Sequence, residues 1–252
     1  VHLLDDLSVS GGVATSCKSR GNEIAEAELG AGTRYVVVDS FEGAAQAGDF
    51  VLRLHAIGDS WAEQIVAEGV RWRARRYQSQ SGGPQVVHEL LVDTSQSGVE
   101  IKAFDATGCQ TIQAIGEAKQ ASAGINGGYF GTGGGCPPVS LLKSAGQLVG
   151  VNAESRGAFG VSGSGQPLID VVAKGADWPA ALESHGGGPV LVKQSQPTTA
   201  TDWAKETFTG SAAVHPRTWA GVDVAGLTHF GTIDGRRKNA AGMSFAVMGA
   251  WL

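Results

Sequence analysis

The sequence predicts a strand-rich fold with few helices, on three observations. The 252 residues include 38 glycines spread along the whole chain, which implies many tight turns. Short runs rich in β-branched and aromatic residues recur between glycine, proline and asparagine turn signals. Apolar residues at helical spacing are confined to a few short stretches. Hydrophobic residues make up 42% and charged residues 17%, so the chain is globular rather than disordered. Its length suits one large domain, or one domain with a small companion.

The first 58 residues read as short strands and turns. Gly32, Thr33 and Arg34 lead into a β-branched run at 35–39, residues 40–48 form a small polar connection, and 49–54 alternates like a half-buried strand. Residues 57–68 read as linker and short helix. From Gly69 the pattern changes. Residues 70–77 alternate, with Arg71, Arg73, Arg75 and Arg76 making a basic outward face. After a turn at Gly82, Gly83 and Pro84, residues 86–93 and 99–105 read as two strands. Thr111 is the N-cap of a helix, on which Ile112, Ile115 and Ala118 are helically spaced, ending near Ala121.

The stretch at 123–138, AGINGGYFGTGGGCPP, reads as a short buried strand that ends in Asn126, Gly127 and Gly128. Glycine has no Cβ and lets the backbone come close to a ligand. The Asn126 carboxamide both donates and accepts there, and Tyr129 and Phe130 can wall a pocket. Plain architecture, a glycine turn between buried strands, is the alternative.

Downstream, 141–151 reads as a hairpin through Ala145 and Gly146. A strand at 156–161 turns at Gly163, Ser164 and Gly165 into another at 168–172. Residues 186–192 read as a glycine turn and a buried strand, and 198–212 as a polar loop with a short helix. His215, Pro216, Arg217 and Thr218 open a strand at 219–223, which returns through Ala225 and Gly226 as 227–233. Asp234, Gly235, Arg236, Arg237 and Lys238 end that hairpin. Gly242 and Met243 precede a helix with Ser244 as N-cap.

Lys plus Arg is 19 and Asp plus Glu is 24, a net charge of −5, which argues against a general nucleic-acid binder. No apolar run reaches ~18 residues, so no membrane span is expected. The opening VHLLDDLSVSGG has no signal-peptide pattern. The three cysteines, Cys17, Cys109 and Cys136, cannot all pair within the chain. Cys109 precedes the helix and Cys136 lies beyond the strand that follows it, so a bridge between them and two separate thiols both fit. There is no CxxC, and His185, His215 and His229 share no ligand spacing, so neither metal nor cofactor is expected. His185 with three glycines looks like a lipase oxyanion turn. It lacks a Gly-x-Ser-x-Gly partner and reads as a turn before a strand.

Residues 214–252 are locally basic, with Arg217, Arg236, Arg237 and Lys238 against Asp223 and Asp234. Antiparallel pairing of the hairpin brings Arg217 and Arg236 to one sheet edge. Guanidinium groups there suit bidentate binding of phosphate or carboxylate. A solvated hairpin end, with Asp234 only a turn residue, is the alternative.

Six segments occur in order: 125–130 (INGGYF), 156–160 (RGAFG), 187–192 (GGPVLV), 215–218 (HPRT), 234–236 (DGR) and 242–244 (GMS). Together, over about 69–252, they resemble the phosphodiester glycosidase family, relatives of the mannose-6-phosphate uncovering enzyme. The resemblance implies an α+β domain of mixed, mostly antiparallel sheets with a few helices. It implies hydrolysis of a sugar-1-phosphodiester at the glycosidic bond. Arg217 and Arg236 would hold the phosphate, and Asn126 with Gly127 and Gly128 would orient ligand oxygens. Asp234 would act on water or on an oxocarbenium-like centre. Tyr129 and Phe130 would face the sugar, and Thr218, Gly235 and Ser244 complete the expected binding set. A non-catalytic carbohydrate- or wall-binding module, or a plain anion-binding surface, are the alternatives. The family's Asp-Gly-Gly-Gly-Ser segment, expected after the 242–244 helix, is not reached. The expectation is therefore a C-terminally incomplete domain of low stability and low activity. Residues 32–54 resemble the second half of the small β-sandwich domains of prepeptidase C-terminal type appended to secreted bacterial enzymes. They imply a partial accessory domain at 1–58 and a secreted or cell-surface protein.

Overall fold

The computed structural model describes five short strands within residues 2–37, and residues 59–252 apart from 80, 81, 107, 210 and 211. The chain forms two compact units, Val1–Leu54 and His55–Leu252. In the first, β1 (His2–Leu4) pairs antiparallel with β4 (Cys17–Arg20) and β5 (Tyr35–Val37), and β2 (Val9–Ser10) pairs with β3 (Val13–Ala14). The expected strand at 35–39 is β5. The connection at 40–48, the strand at 49–54 and the rest of the expected sandwich lie outside the described residues.

The second unit is built on two five-stranded antiparallel sheets. One contains β6 (Ala62–Ala67), β7 (Val70–Ser79), β8 (Gly83–Val92), β16 (Arg217–Val222) and β17 (Thr228–Ile233), in the order β16-β17-β8-β7-β6. The other contains β9 (Leu142–Ser144), β10 (Gln147–Gly150), β11 (Arg156–Val161), β12 (Pro167–Val172) and β13 (Glu183–Gly186), in the order β10-β9-β13-β11-β12. The short pair β14 (Val192–Lys193) and β15 (Gln196–Pro197) and the helices α1 (Ile112–Lys119), α2 (Ala200–Lys205) and α3 (Phe245–Trp251) complete an α+β domain. Phe159 of β11 packs edge-on against Phe230 of β17, centroids 5.0 Å apart, and joins the two sheets.

The helices begin where side chains satisfy their free N–H groups. The Thr111 hydroxyl accepts from Ala114 N–H at 3.2 Å, and the Ser244 hydroxyl from Val247 N–H at 3.3 Å. The core of the first sheet is Val87 and Ile233, opposite each other in the ladder, covered by Met243 and Met248. The second sheet is centred on Leu141, Ala158 and Val172.

The structure corrects four expected elements. Among the described residues 59–68 there is no helix: residues from Ala62 form edge strand β6, which pairs with β7 and sets Glu63 opposite Arg73. Residues 99–105 form no strand, and the Ala103 N–H is satisfied by the buried Glu183 carboxylate at 3.0 Å rather than by a ladder. Residues 123–125 are neither strand nor buried. In the 186–192 region the principal strand comes earlier, as β13, and the Val190 N–H is held by Glu206.

Glu206 is 4% exposed and clamps two segments. Its carboxylate accepts from Gly157 N–H at 2.6 Å and Val190 N–H at 3.0 Å. Glu206→Ala leaves both donors without a partner, at about 1–3 kcal/mol each. A matching fall in urea unfolding free energy is expected, with Glu206→Gln in between because it keeps one acceptor oxygen. An unchanged midpoint in the alanine variant would show that water replaces the carboxylate.

Candidate active site

Three of the six segments close into one knot at the start of β16. The His215 carbonyl accepts from Met243 N–H at 3.0 Å, and the Met243 carbonyl accepts from His215 N–H at 3.3 Å. Glycine is required on both sides. A Cβ at Gly242, where φ is +93°, would stand 2.4 Å from the His215 oxygen, and one at Gly235 would stand 2.5 Å from the Pro216 nitrogen. Arg217 donates from Nε to the Met243 carbonyl at 3.0 Å and from Nη2 to the Ala213 carbonyl at 2.9 Å. Its guanidinium lies 4.2 Å over the Phe245 ring. Burial lowers the Arg217 pKa, Tyr129 opposes that shift, and Arg236 adds to it. Arg236 donates from Nη2 to His215 Nδ1 at 2.9 Å, which places any proton of a neutral His215 ring on Nε2.

The Asn126 turn is pinned between the sheets. Gly128 N–H donates to His185 Nδ1 at 3.3 Å, and burial lowers the His185 pKa. Across the turn, the Thr218 hydroxyl donates to Asn126 Oδ1 at 2.8 Å. A Cβ at Gly127 would stand 2.5 Å from the His185 ring. One at Gly128 would stand 2.1 Å from the Gly186 oxygen and 2.2 Å from Ser140 Oγ. The glycines therefore make room for β13. The close approach expected from sequence is to the protein's own strand. Tyr129 is 45% and Phe130 59% exposed, so both side chains are accessible to a ligand.

Asn126, Gly127, Gly128, Tyr129, Phe130, Arg217 and Thr218 line one open cleft, together with His185 and Phe159. Asp234, Gly235, Arg236 and Ser244 do not line it. The Asp234 carboxylate lies 3.5 Å from Arg237, and the Ser244 hydroxyl caps α3. Gly235 lies against Pro216 and Arg236 against His215, so both support the Arg217 segment from behind.

Sequence reasoning missed three residues. His185 carries the Asn126 turn, but its run of glycines points only to a turn. The Arg156 guanidinium lies 5.1 Å over the Tyr129 ring and 4.7 Å over the Phe208 ring. Arg156 opens a segment that sequence reading singled out, whereas nothing in the polar 198–212 stretch marks Phe208. Cys109 and Cys136 form a disulfide with Cα atoms 5.1 Å apart, which ties the start of α1 to the loop after Phe130. Among the described residues, no group of three or more His, Cys, Asp or Glu is placed to hold a metal ion.

A second polar cluster lies on the first sheet, around Glu89, which is 3% exposed. Its carboxylate accepts from Arg73 and lies 2.7 Å from His229 Nδ1, and His229 Nε2 lies 3.2 Å from Asp223. The bond to Glu89, opposed by burial and helped by Asp223, raises His229 above its usual 6.5. Burial alone would raise Glu89, but His229 and Arg73 together hold it below its usual 4.5. The His229 contribution to stability is full below 6.5 and is lost as pH rises through its raised folded value. The Glu89 contribution is present above 4.5 and is lost as pH falls through its lowered folded value. His229→Gln should therefore lower Tm most between these two pH values, with a deficit that shrinks on the alkaline side. Melting curves across that range check this, and a deficit independent of pH would mean that the pair is not ionised.

A profile of the phosphodiester glycosidase family matches residues 119–252, just over half of the chain. The chain belongs to the phosphodiester glycosidase family. The matched region of this family member holds the Asn126 turn, Arg156, the knot around Arg217, and α3. No curated protein matches the sequence. Among solved structures, a hypothetical protein from Synechocystis matches at a TM-score of 0.56 and 14% identity, over 76% of this chain and 55% of that one. The zebrafish N-acetylglucosamine-1-phosphodiester alpha-N-acetylglucosaminidase catalytic domain, auto-inhibited by its pro-peptide, matches at 0.51 and 17%, over 78% of this chain and 70% of that one. A Burkholderia pseudomallei protein described as exported matches at 0.52 and 15%, over 67% of this chain and 65% of that one. At these identities the likeness is one of fold. This family member spans little more than half of the Synechocystis chain and just under two thirds of the Burkholderia one.

Proposed function

We propose that this family member is a hydrolase that cleaves the glycosidic bond of a sugar-1-phosphodiester. The observation that carries the reading is Arg217, a partly buried guanidinium that meets two carbonyls and an aromatic ring and, among the described residues, no carboxylate. Such a group is ready to receive an anion, and charge-assisted bonds to phosphate are the strong ones. A phosphodiester is already a fair leaving group, so the protein needs an anion clamp more than a strong acid. Arg217 holds the phosphate with Arg236 behind it, and Asn126, oriented by Thr218, aligns ligand oxygens. Tyr129 and Phe130 face the sugar. Asp234 follows Ile233, the ladder partner of Arg217, and so stands at the same end of the sheet. To act on water or stabilise an oxocarbenium-like centre it must leave Arg237 and turn into the cleft. The bond from the anomeric carbon to the phosphate oxygen breaks, water adds to the sugar, and a free sugar and a phosphomonoester leave. The disulfide supports a secreted or cell-surface location.

One observation favours a second reading, a carbohydrate-binding module without turnover: the Asp234 carboxylate lies against Arg237 and outside the cleft. Incubation with glycosyl-1-phosphodiesters, N-acetylglucosamine among the sugars, separates the two. Release of free sugar supports the hydrolase. Glycan binding without release supports the module.

A further inference from the structure

We propose that Arg156, which does not itself line the cleft but stacks on the cleft residue Tyr129, is an anion-binding residue at the edge of that cleft and reads the negative charge of the phosphodiester; this rests on the hydrolase reading. Arg156 opens β11, and its guanidinium covers both Tyr129 and Phe208. Those two rings begin an aromatic row. The Tyr129 and Phe208 centroids are 6.5 Å apart, Phe208 meets Phe245 edge-on at 5.7 Å, and Phe245 carries Arg217 at 4.2 Å. Two guanidinium groups thus flank one row of rings, with Tyr129, a cleft residue, at the Arg156 end.

The stacking leaves the charge of Arg156 available. A ring face attracts a guanidinium without using its N–H donors, which point outward in the plane of the fork. Its only side-chain polar partner among the described residues is the Thr207 hydroxyl, at 3.5 Å from Nη2. Its Nε is buried and, among the described residues, has no hydrogen-bond partner. The nearby carboxylate, Glu206, is occupied by the Gly157 and Val190 N–H groups. A cation fixed in orientation, with donors to spare and no carboxylate paired with it among the described residues, suits an anionic ligand with several acceptor oxygens. A phosphodiester has them and an uncharged glycoside does not.

The test compares Arg156→Gln with the wild type on a glycosyl-1-phosphodiester and on the uncharged nitrophenyl glycoside of the same sugar, with inorganic phosphate as inhibitor. KM for the diester and Ki for phosphate should each rise about tenfold or more, with kcat and the KM for the uncharged glycoside little changed. A residue that only packs would alter both substrates alike. Unchanged KM and Ki for the anions would overturn the proposal. A second measurement needs no variant: phenylglyoxal modification of the wild-type protein, mapped by mass spectrometry, with and without phosphate. Protection of Arg156 supports the assignment, and equal labelling overturns it. Absence of diester turnover by the wild type overturns the hydrolase reading alone, because phosphate protection still reports on the anion site.

Discussion

Arg217→Ala is expected to lower kcat/KM for a glycosyl-1-phosphodiester by about tenfold or more, since a charged hydrogen bond is worth ~1.5–3 kcal/mol. Both roles of the side chain contribute. In the proposed function it offers a partly desolvated cation to the phosphate on the cleft side. Towards the protein it joins the Met243 and Ala213 carbonyls and covers Phe245, so it also fixes the start of α3. Arg217→Lys separates these roles. Lysine keeps the charge but has no fork to span two carbonyls and a phosphate, so it should restore little of the lost activity. Circular dichroism and thermal unfolding of both variants, beside their kinetics, check that the fold is retained. A folded alanine variant with wild-type kcat/KM would remove Arg217 from the site.

Gly128→Ala is expected to do more damage than any other single-methyl addition near the cleft. Its Cβ would stand 2.1 Å from the Gly186 carbonyl oxygen, a backbone atom in β13 that cannot swing aside. The turn must retreat from the strand, which strains or breaks the Gly128–His185 bond and shifts Asn126 away from Thr218. Overpacking of this kind costs about 1–3 kcal/mol of stability. A displacement of ~1 Å at a positioning group can cost on the order of 10²-fold in rate. Parallel melting and turnover measurements check the prediction. An alanine variant with unchanged Tm and rate would mean that the turn is not held against β13. Gly133→Ala is the control, because a Cβ there meets nothing within 4 Å among the described residues.

Much of the second unit was legible locally. The caps at Thr111 and Ser244 and the hairpins at 142–150 and 217–233 follow from signals within a few residues. The failures share a cause. Residues 62–67 carry no strong strand signal and form a strand because β7 offers them a ladder and cations. Residues 99–105 carry a strand signal, yet the side chain of Glu183 satisfies the Ala103 N–H. Both outcomes depend on partners far away in sequence, which override local preference.

The same division runs through the site. By itself the sequence determined where the glycines must be, which segments turn, that one hairpin brings Arg217 and Arg236 to the same sheet end, and the order of segments that marks the family. These properties reside in single residues or in a few neighbours, where backbone sterics and side-chain spacing act directly. Only the tertiary structure decided what those features touch. It placed β8 beside β17, set His185 under Gly127, joined Thr218 to Asn126 across 92 residues, and laid Arg156 on Tyr129 and Phe208. It also turned Asp234 towards Arg237 and committed Ser244 to a cap. Such contacts are chosen by which strands pair and which faces pack, a long-range competition among the whole chain's buried groups that no local pattern encodes.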